Sequence, residues 1–191
     1  MLKLLRYIIA ILLIVVAVIW FKKQNGKKRI LRLILNVFLS LIVLITPVEN
    51  LFLKFDTPEQ AFNYAVSNRK IIKIVENKQS ALVIYSEKGS TNATLISEHN
   101  GKWKANFLPD DQILSRSDNN EIIMITKERK SNNFYIMIAV GTDVKSVTDN
   151  QNSRFEVFSK DGYWTHYVAY VVDYKGDYII SIDDDQYKIK I

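Results

Sequence analysis

A chain of 191 residues with no cysteine and a formal charge of +6 at pH 7 excludes disulfides, thiolate chemistry and cysteine-ligated zinc. The charge is uneven: residues 1–54 hold nine Lys or Arg and one Glu, a net of +8, whereas residues 55–191 hold the other 17 against 19 Asp or Glu, a net of −2. The larger part has no basic excess with which to hold phosphates, so nucleic acid is not expected as a partner.

The chain opens with two apolar runs, "LKLLRYIIAILLIVVAVIWF" and "ILRLILNVFLSLIVLITPV", separated by the basic stretch "KKQNGKKR". A helix rises about 1.5 Å per residue, so ~20 residues match a ~30 Å hydrocarbon core. The runs are read as a transmembrane helical hairpin with spans at about 2–21 and 30–48. Lys3, Arg6 and Arg32 lie near the span ends, where long basic side chains snorkel to headgroups. Trp20 and Phe21 suit an interfacial anchor, and Pro47 suits a helix end. Asn36 is the one strongly polar residue well inside the second run, placed to hydrogen-bond across to the first helix or simply to be tolerated.

Six basic residues in 22–32, against Lys54 alone after the second run, place the loop in the cytoplasm. Residues 50–191 are then expected outside it, in a multi-pass cell-membrane protein with two spans. A cleaved signal peptide is less favoured, because Val18, Ile19 and Trp20 are too bulky for a cleavage site. The main rival is a cytoplasmic C-terminal domain.

Residues 1–56 are thus assigned to hairpin and linker, and 57–191 to one domain. "DTPEQAF" reads as a helix start: Thr57 caps, Pro58 takes the first helical position and Gln60 completes a Thr-x-x-Gln capping box. Ala61, Phe62, Ala65 and Val66 share a face at helical spacing. From Ile71 the pattern turns to strands. "IIKIVE" and "ALVIYSE" are β-branched runs split by "NKQS". "EKGSTNAT" is a turn, and Asn100-Gly101 is a two-residue hairpin signal. Residues 109–120 are polar around a short apolar pair. "EIIMITKE" and "NFYIMIAVG" read as an antiparallel pair, and 141–154 is the longest polar interruption. "RFEVFSK", "YWTHYVAYVVDY", "YIISID" and "YKIKI" complete the strands. "YWTHYVAYVVDY", apolar on both faces, is expected to be central; "YKIKI", which alternates, is expected to be half exposed. Short strands at roughly ten-residue spacing imply an antiparallel meander. The expected fold is a membrane-anchored α+β protein: a two-helix transmembrane hairpin followed by a mostly antiparallel β domain with one short helix.

The stretch "TPEQAF…IIKIVENKQSALVIY" resembles the opening of small exported or membrane-anchored proteins of low-GC Gram-positive bacteria. These carry a Thr-Pro-Glu-Glu/Gln-Ala helix followed by β-hairpins. The likeness covers about 30 residues, with Gln60 where Glu is commoner. It implies a bacterial envelope protein and brings no site residue with it.

Chemistry-bearing groups are scarce. His99 sits beside the Asn-Gly turn. His166 lies mid-strand between Trp164 and Val168 at period two, as a core or sheet-face histidine, with a general base as the sharper alternative. Neither His-x-His nor His-Glu-x-x-His spacing occurs, and no zinc or other metal site is expected. Asp183, Asp184 and Asp185 lack the spacing of a calcium loop and read as a solvated hairpin tip. Tyr163, Thr165 and Tyr167 share one face of an aromatic strand and form a candidate binding surface for a partner or glycan. No cofactor motif is present.

The expected role is therefore non-enzymatic: binding or sensing at a bacterial envelope, with a lipid bilayer and another membrane protein or an envelope ligand as partners. The alternatives are an immunity-type protein that shields the membrane from a secreted toxin, and an envelope hydrolase using His166.

Overall fold

The computed structural model describes residues 5–23, 34–42, 52–66, 68–105, 112–116, 122–128 and 131–189. The chain divides into two compact units, Met1–Lys54 and Phe55–Ile191.

The first unit is helical. Helix α1 spans Leu5–Lys23, and residues 34–42 form the described part of a second helix, α2. Ala10 and Ala17, two turns apart on α1, are buried, as is Ser40 on α2, whose Oγ donates to the Asn36 carbonyl at 2.8 Å. Larger side chains, among them Ile8, Ile11, Leu12, Ile19, Leu35 and Phe38, remain exposed.

The expected two-span hairpin is corrected here. Among the described residues no helix is long and apolar enough to cross a membrane. α1 has 19 residues but includes Arg6, Lys22 and Lys23. Its uncharged stretch, Tyr7–Phe21, rises only ~22 Å against a hydrocarbon core of ~30 Å. The sequence reading reached full length by counting basic residues at the ends as snorkelling. With the spans go the membrane anchor, the multi-pass cell-membrane location and the extracytoplasmic placement built on them. The basic stretch 24–33 and Pro47 lie outside the described residues.

Among its described residues the second unit has one helix and twelve strands. Helix α3, Pro58–Ala65, starts where its cap predicts: Thr57 Oγ accepts from the Gln60 N–H at 3.2 Å, and Pro58 opens the helix. Gln60 reaches back to the N–H of Asp56 at 3.1 Å, one residue before the cap. Phe55 pairs with Trp103 through two 2.8 Å backbone hydrogen bonds.

Strands β1 (Lys70–Glu76), β2 (Ser80–Glu87), β3 (Ser90–His99) and β4 (Lys102–Ala105) form an antiparallel meander, sheet A. Lys88-Gly89 and Asn100-Gly101 close its second and third hairpins, all four with positive φ. That conformation matches the twist of the flanking strands and favours Asn and Gly. Sheet B has the order β5 (Gln112–Arg116), β6 (Ile122–Lys127), β7 (Phe134–Gly141), β10 (Trp164–Val171), β9 (Glu156–Asp161). Sheet C has the order β12 (Asp185–Ile189), β11 (Tyr178–Ile182), β8 (Val147–Asp149).

Side-chain alternation stacks the sheets. On β2, Ala81 and Val83 meet α3 through Phe62, whereas Leu82 and Ile84 face the other way. There they meet Tyr135 and Met137 of β7 and Val168 of β10. The opposite face of sheet B presents Ile123, Ile125, Phe134, Ile136, Ile138 and Val140 to Tyr178, Ile180 and Ile182 of sheet C. The layers therefore run α3, sheet A, sheet B, sheet C.

Ile136 is fully buried at the centre of this stack. Ile136→Ala is expected to cost 2–5 kcal/mol by transfer and cavity effects, and Thr57→Ala roughly 1 kcal/mol through the lost cap. Urea denaturation of both variants checks the order; equal losses would mean that sheet B is not sandwiched as described.

Candidate functional site

Strand β6 aims Ile123 and Ile125 at sheet C, so by period two Met124, Thr126 and then Glu128 turn toward sheet A. Glu128 follows the last residue of β6, and its N–H donates to the Asn133 carbonyl at 3.1 Å. The side chain is carried between the sheets and is only 6% exposed.

Four neutral groups converge on its carboxylate. Oε1 accepts from the Ser80 hydroxyl and from the Tyr170 phenol at 3.0 Å. Oε2 accepts from Ser131 Oγ and from Asn133 Nδ2, both at 3.0 Å. Tyr135 extends the chain: its hydroxyl lies 2.8 Å from Ser80 Oγ and donates to the Ser80 carbonyl at 3.0 Å. Tyr135 and Tyr170 are register partners on adjacent strands, with ring centroids 4.6 Å apart. Among the described residues no Lys, Arg or His forms an ion pair with Glu128.

The electrostatic consequence appears on the phenols. Burial, with the Glu128 charge behind it, pushes Tyr170 up to about 12. Burial and the same carboxylate also raise Tyr135, against the opposing effect of its hydrogen bond with Ser80.

Beside this network lies a cavity of about 520 Å³, lined by Gln79, Ser80, Leu95, Ser97, Glu98, His99, Asn100 and Glu128. Its walls come from the start of β2 and the end of β3. Among the described residues the lining is mostly polar, with Leu95 its large apolar member.

His166 occupies a second groove of about 330 Å³, at the β2–β3 turn and so at the other end of that hairpin from the larger cavity. The pairing of β10 with β9 skips a residue here: His166 pairs with Ser159 and Tyr167 with Val157. Phe158 is left over as a bulge, and its ring lies 5.6 Å from the imidazole. His166 Nε2 sits 3.0 Å from Asp161 Oδ2. Ile122, Met124, Met137 and Ile138 supply apolar walls, and Ser90 and Thr91 line one side.

The other sequence candidates are dispersed. Tyr163 is 85% exposed in the β9–β10 turn, Thr165 is buried, and Tyr167 packs half-buried against the core between sheets B and C. They share one side of β10, but Tyr163 alone of the three is open to a partner. His99 lies exposed at the mouth of the larger cavity. Asp183 accepts from the N–H groups of Ser146 at 2.8 Å and Lys145 at 3.0 Å. These bonds hold its carboxyl below the usual range and tie the β11–β12 hairpin to the loop before β8. Among the described residues no three His, Asp or Glu are grouped as a metal site.

Sequence reasoning missed Glu128. It looks like an ordinary polar strand end, and only its period-two phase with Met124 hints that it faces inward. Comparison with protein-family models, with curated proteins and with solved structures finds no match.

The phenol shifts predict an alkaline limb. A group whose folded pKa lies above its unfolded value of 10.0 contributes stability fully below pH 10 and loses it as pH rises through the folded value. Tyr170 therefore costs stability between pH 10 and about 12. In urea titrations at pH 8 and pH 11, Tyr170→Phe should lose less stability than the parent over that interval. An identical loss would mean that Tyr170 does not ionise against Glu128.

Proposed function

We propose that the β unit is a binding module whose ligand occupies the cavity above Glu128. The observation that carries this reading is a buried carboxylate held by four neutral donors and left, among the described residues, without a cation, beside an open polar cavity. Taking a carboxylate out of water is expensive, and apolar residues of similar volume often hold two layers together as well or better. A structural tie alone does not call for a charge. A charge kept in a cavity wall with tuned neighbours is the usual physical mark of a site.

The hydrolase reading has one observation in its favour. His166 has an acidic partner, Asp161, in a groove that two hydroxyl side chains also line. The binding reading is preferred because Asp161 sits on an exposed hairpin end, while the Glu128 network is enclosed. His166→Gln separates the two. If the protein has a hydrolytic activity that this variant abolishes at unchanged stability, the hydrolase reading takes precedence.

Gln79 is an exposed wall residue of the larger cavity, so Gln79→Trp fills the space without touching the core. Full-length protein titrated with 1,4-diaminobutane, 1,4-butanediol and succinate in turn should show, with at least one probe, NMR shifts gathered at Leu95, Ser97 and His99. Gln79→Trp should remove them. Shifts gathered elsewhere, or persisting in the filled variant, would refute this location.

A further inference from the structure

We infer that the His166 groove is a second ligand site whose ligand is a small uncharged phenol, an aromatic body with a hydroxyl that donates to His166. The inference goes beyond the Glu128 reading and does not rest on it. Register explains why there is space here. Leu82, Ile84 and Ser86 of β2 share the face turned to sheet B, and their partners on β3 are Leu95, Ala93 and Thr91. That face therefore passes from large apolar to small and polar side chains as it nears the β2–β3 turn. Opposite, His166 of β10 is in register with Ala139 of β7, and Ala139 with Ile122 of β6. Ala139 carries only a methyl where Met137, two residues earlier on the same face, carries a long chain. Small side chains thus meet across the seam, and the groove of about 330 Å³ is the space they leave.

The walls select the body. Met124 and Met137 bring thioethers, which contact aromatic rings favourably and adjust to their shape. The bulged Phe158 adds a ring, tilted by 48° to the imidazole of His166 at 5.6 Å. Two rings at that angle offer a third an edge-to-face contact, worth more than its area alone. A cavity of about 150 Å³ holds one benzene, so this groove has room for one ring with a short substituent. A charge on that body would give up its water against apolar walls that return no hydrogen bond.

The rim selects the hydroxyl. A carboxylate accepts and cannot donate, so the contact with Asp161 Oδ2 assigns the hydrogen of the neutral imidazole to Nε2 and makes Nδ1 an acceptor. Among the described residues nothing donates to Nδ1. A phenol O–H fills that acceptor; an ether of the same shape leaves it empty. Ser90 and Thr91 stand on the facing rim, with hydroxyls that donate to the phenol oxygen.

The test uses full-length protein at pH 8 and three probes of matched body: 4-ethylphenol, 4-ethylanisole and 4-ethylcyclohexanol. 4-Ethylphenol should bind about five-fold tighter than either of the others, through one hydrogen bond in the first comparison and ring packing in the second. It should shift resonances of Thr91, Ala139 and the Met124 and Met137 methyls. His166→Phe keeps a ring beside Phe158 and removes the acceptor. It should bring 4-ethylphenol down to the affinity of 4-ethylanisole and leave 4-ethylanisole unchanged. Thr91→Trp, at an exposed rim position, fills the groove and should remove the shifts; it is the second variant should His166→Phe fail to fold. NMR dispersion checks the fold of both. 4-Ethylanisole or 4-ethylcyclohexanol binding as tightly as 4-ethylphenol overturns the phenol class, as does a phenol preference that survives in folded His166→Phe. Shifts that persist in folded Thr91→Trp, or no response to any probe, overturn the site. So do shifts gathered at Leu95, Ser97 and His99, which report the Glu128 cavity instead.

Discussion

Strand β7 carries buried side chains on both of its faces, and the rest of the β unit follows from that constraint. Phe134, Ile136, Ile138 and Val140 point one way, Tyr135 and Met137 the other, and all six are buried. An antiparallel sheet commonly leaves one face to water; a strand with this pattern cannot. Each large apolar side chain withdrawn from water is worth about 1.5–3 kcal/mol, so both faces of sheet B need cover. Sheet C covers the first and sheet A the second. Sheet A, with β2 apolar on both faces in turn, then needs α3 behind it.

The two seams differ in chemistry. Between sheets B and C the contact is apolar, with Tyr178 edge-on to Phe134 and its hydroxyl donating to Asp149 at 2.7 Å. Polar ties such as Asp183 stay at the rim. Between sheets A and B the apolar contact of Leu82, Ile84, Met137 and Val168 gives way at one end to the Ser80, Tyr135, Tyr170 and Glu128 network. A buried network of this kind is stable only when every member is satisfied. Here Tyr135 donates to the Ser80 carbonyl, Ser80 Oγ and Tyr170 donate to Glu128, and the carboxylate only accepts. The seam thus closes on a carboxylate that, among the described residues, has no cation beside it and lies in the wall of a cavity.

Much of the local structure could be read from residues alone. Thr57, Pro58 and Gln60 mark the start of α3 because capping is a contact between near neighbours. Asn100-Gly101 marks the β3–β4 turn because positive φ is a property of the residues that adopt it. Grouping the strands into three sheets was not legible, since pairing and layering are long-range. β8 hid in a polar segment, where three residues on a sheet edge leave no periodic trace. His166 was read as a core or sheet-face histidine, with a general base as the alternative, but its Asp161 partner and the Phe158 bulge depend on register. The candidate surface of Tyr163, Thr165 and Tyr167 treated one face of β10 as free, whereas sheet C lies over part of it. Glu128 was invisible because its burial is decided by Ser80 and Tyr135, which lie 48 residues before it and seven after it. The two N-terminal runs were read as spans from overall hydropathy, and their charged ends were discounted too readily.

Native-state hydrogen exchange on the full-length protein tests the central constraint most directly. If β7 is the strand that both neighbouring sheets enclose, the amides of Ile136 and Ile138 should exchange only through global unfolding, together with Val168 and Ala169 of β10. Those of the edge strands β1 and β12 should open first, at lower free energy. Amides of β7 exchanging as readily as those of β12, while sheet A stayed protected, would contradict a core organised around sheet B.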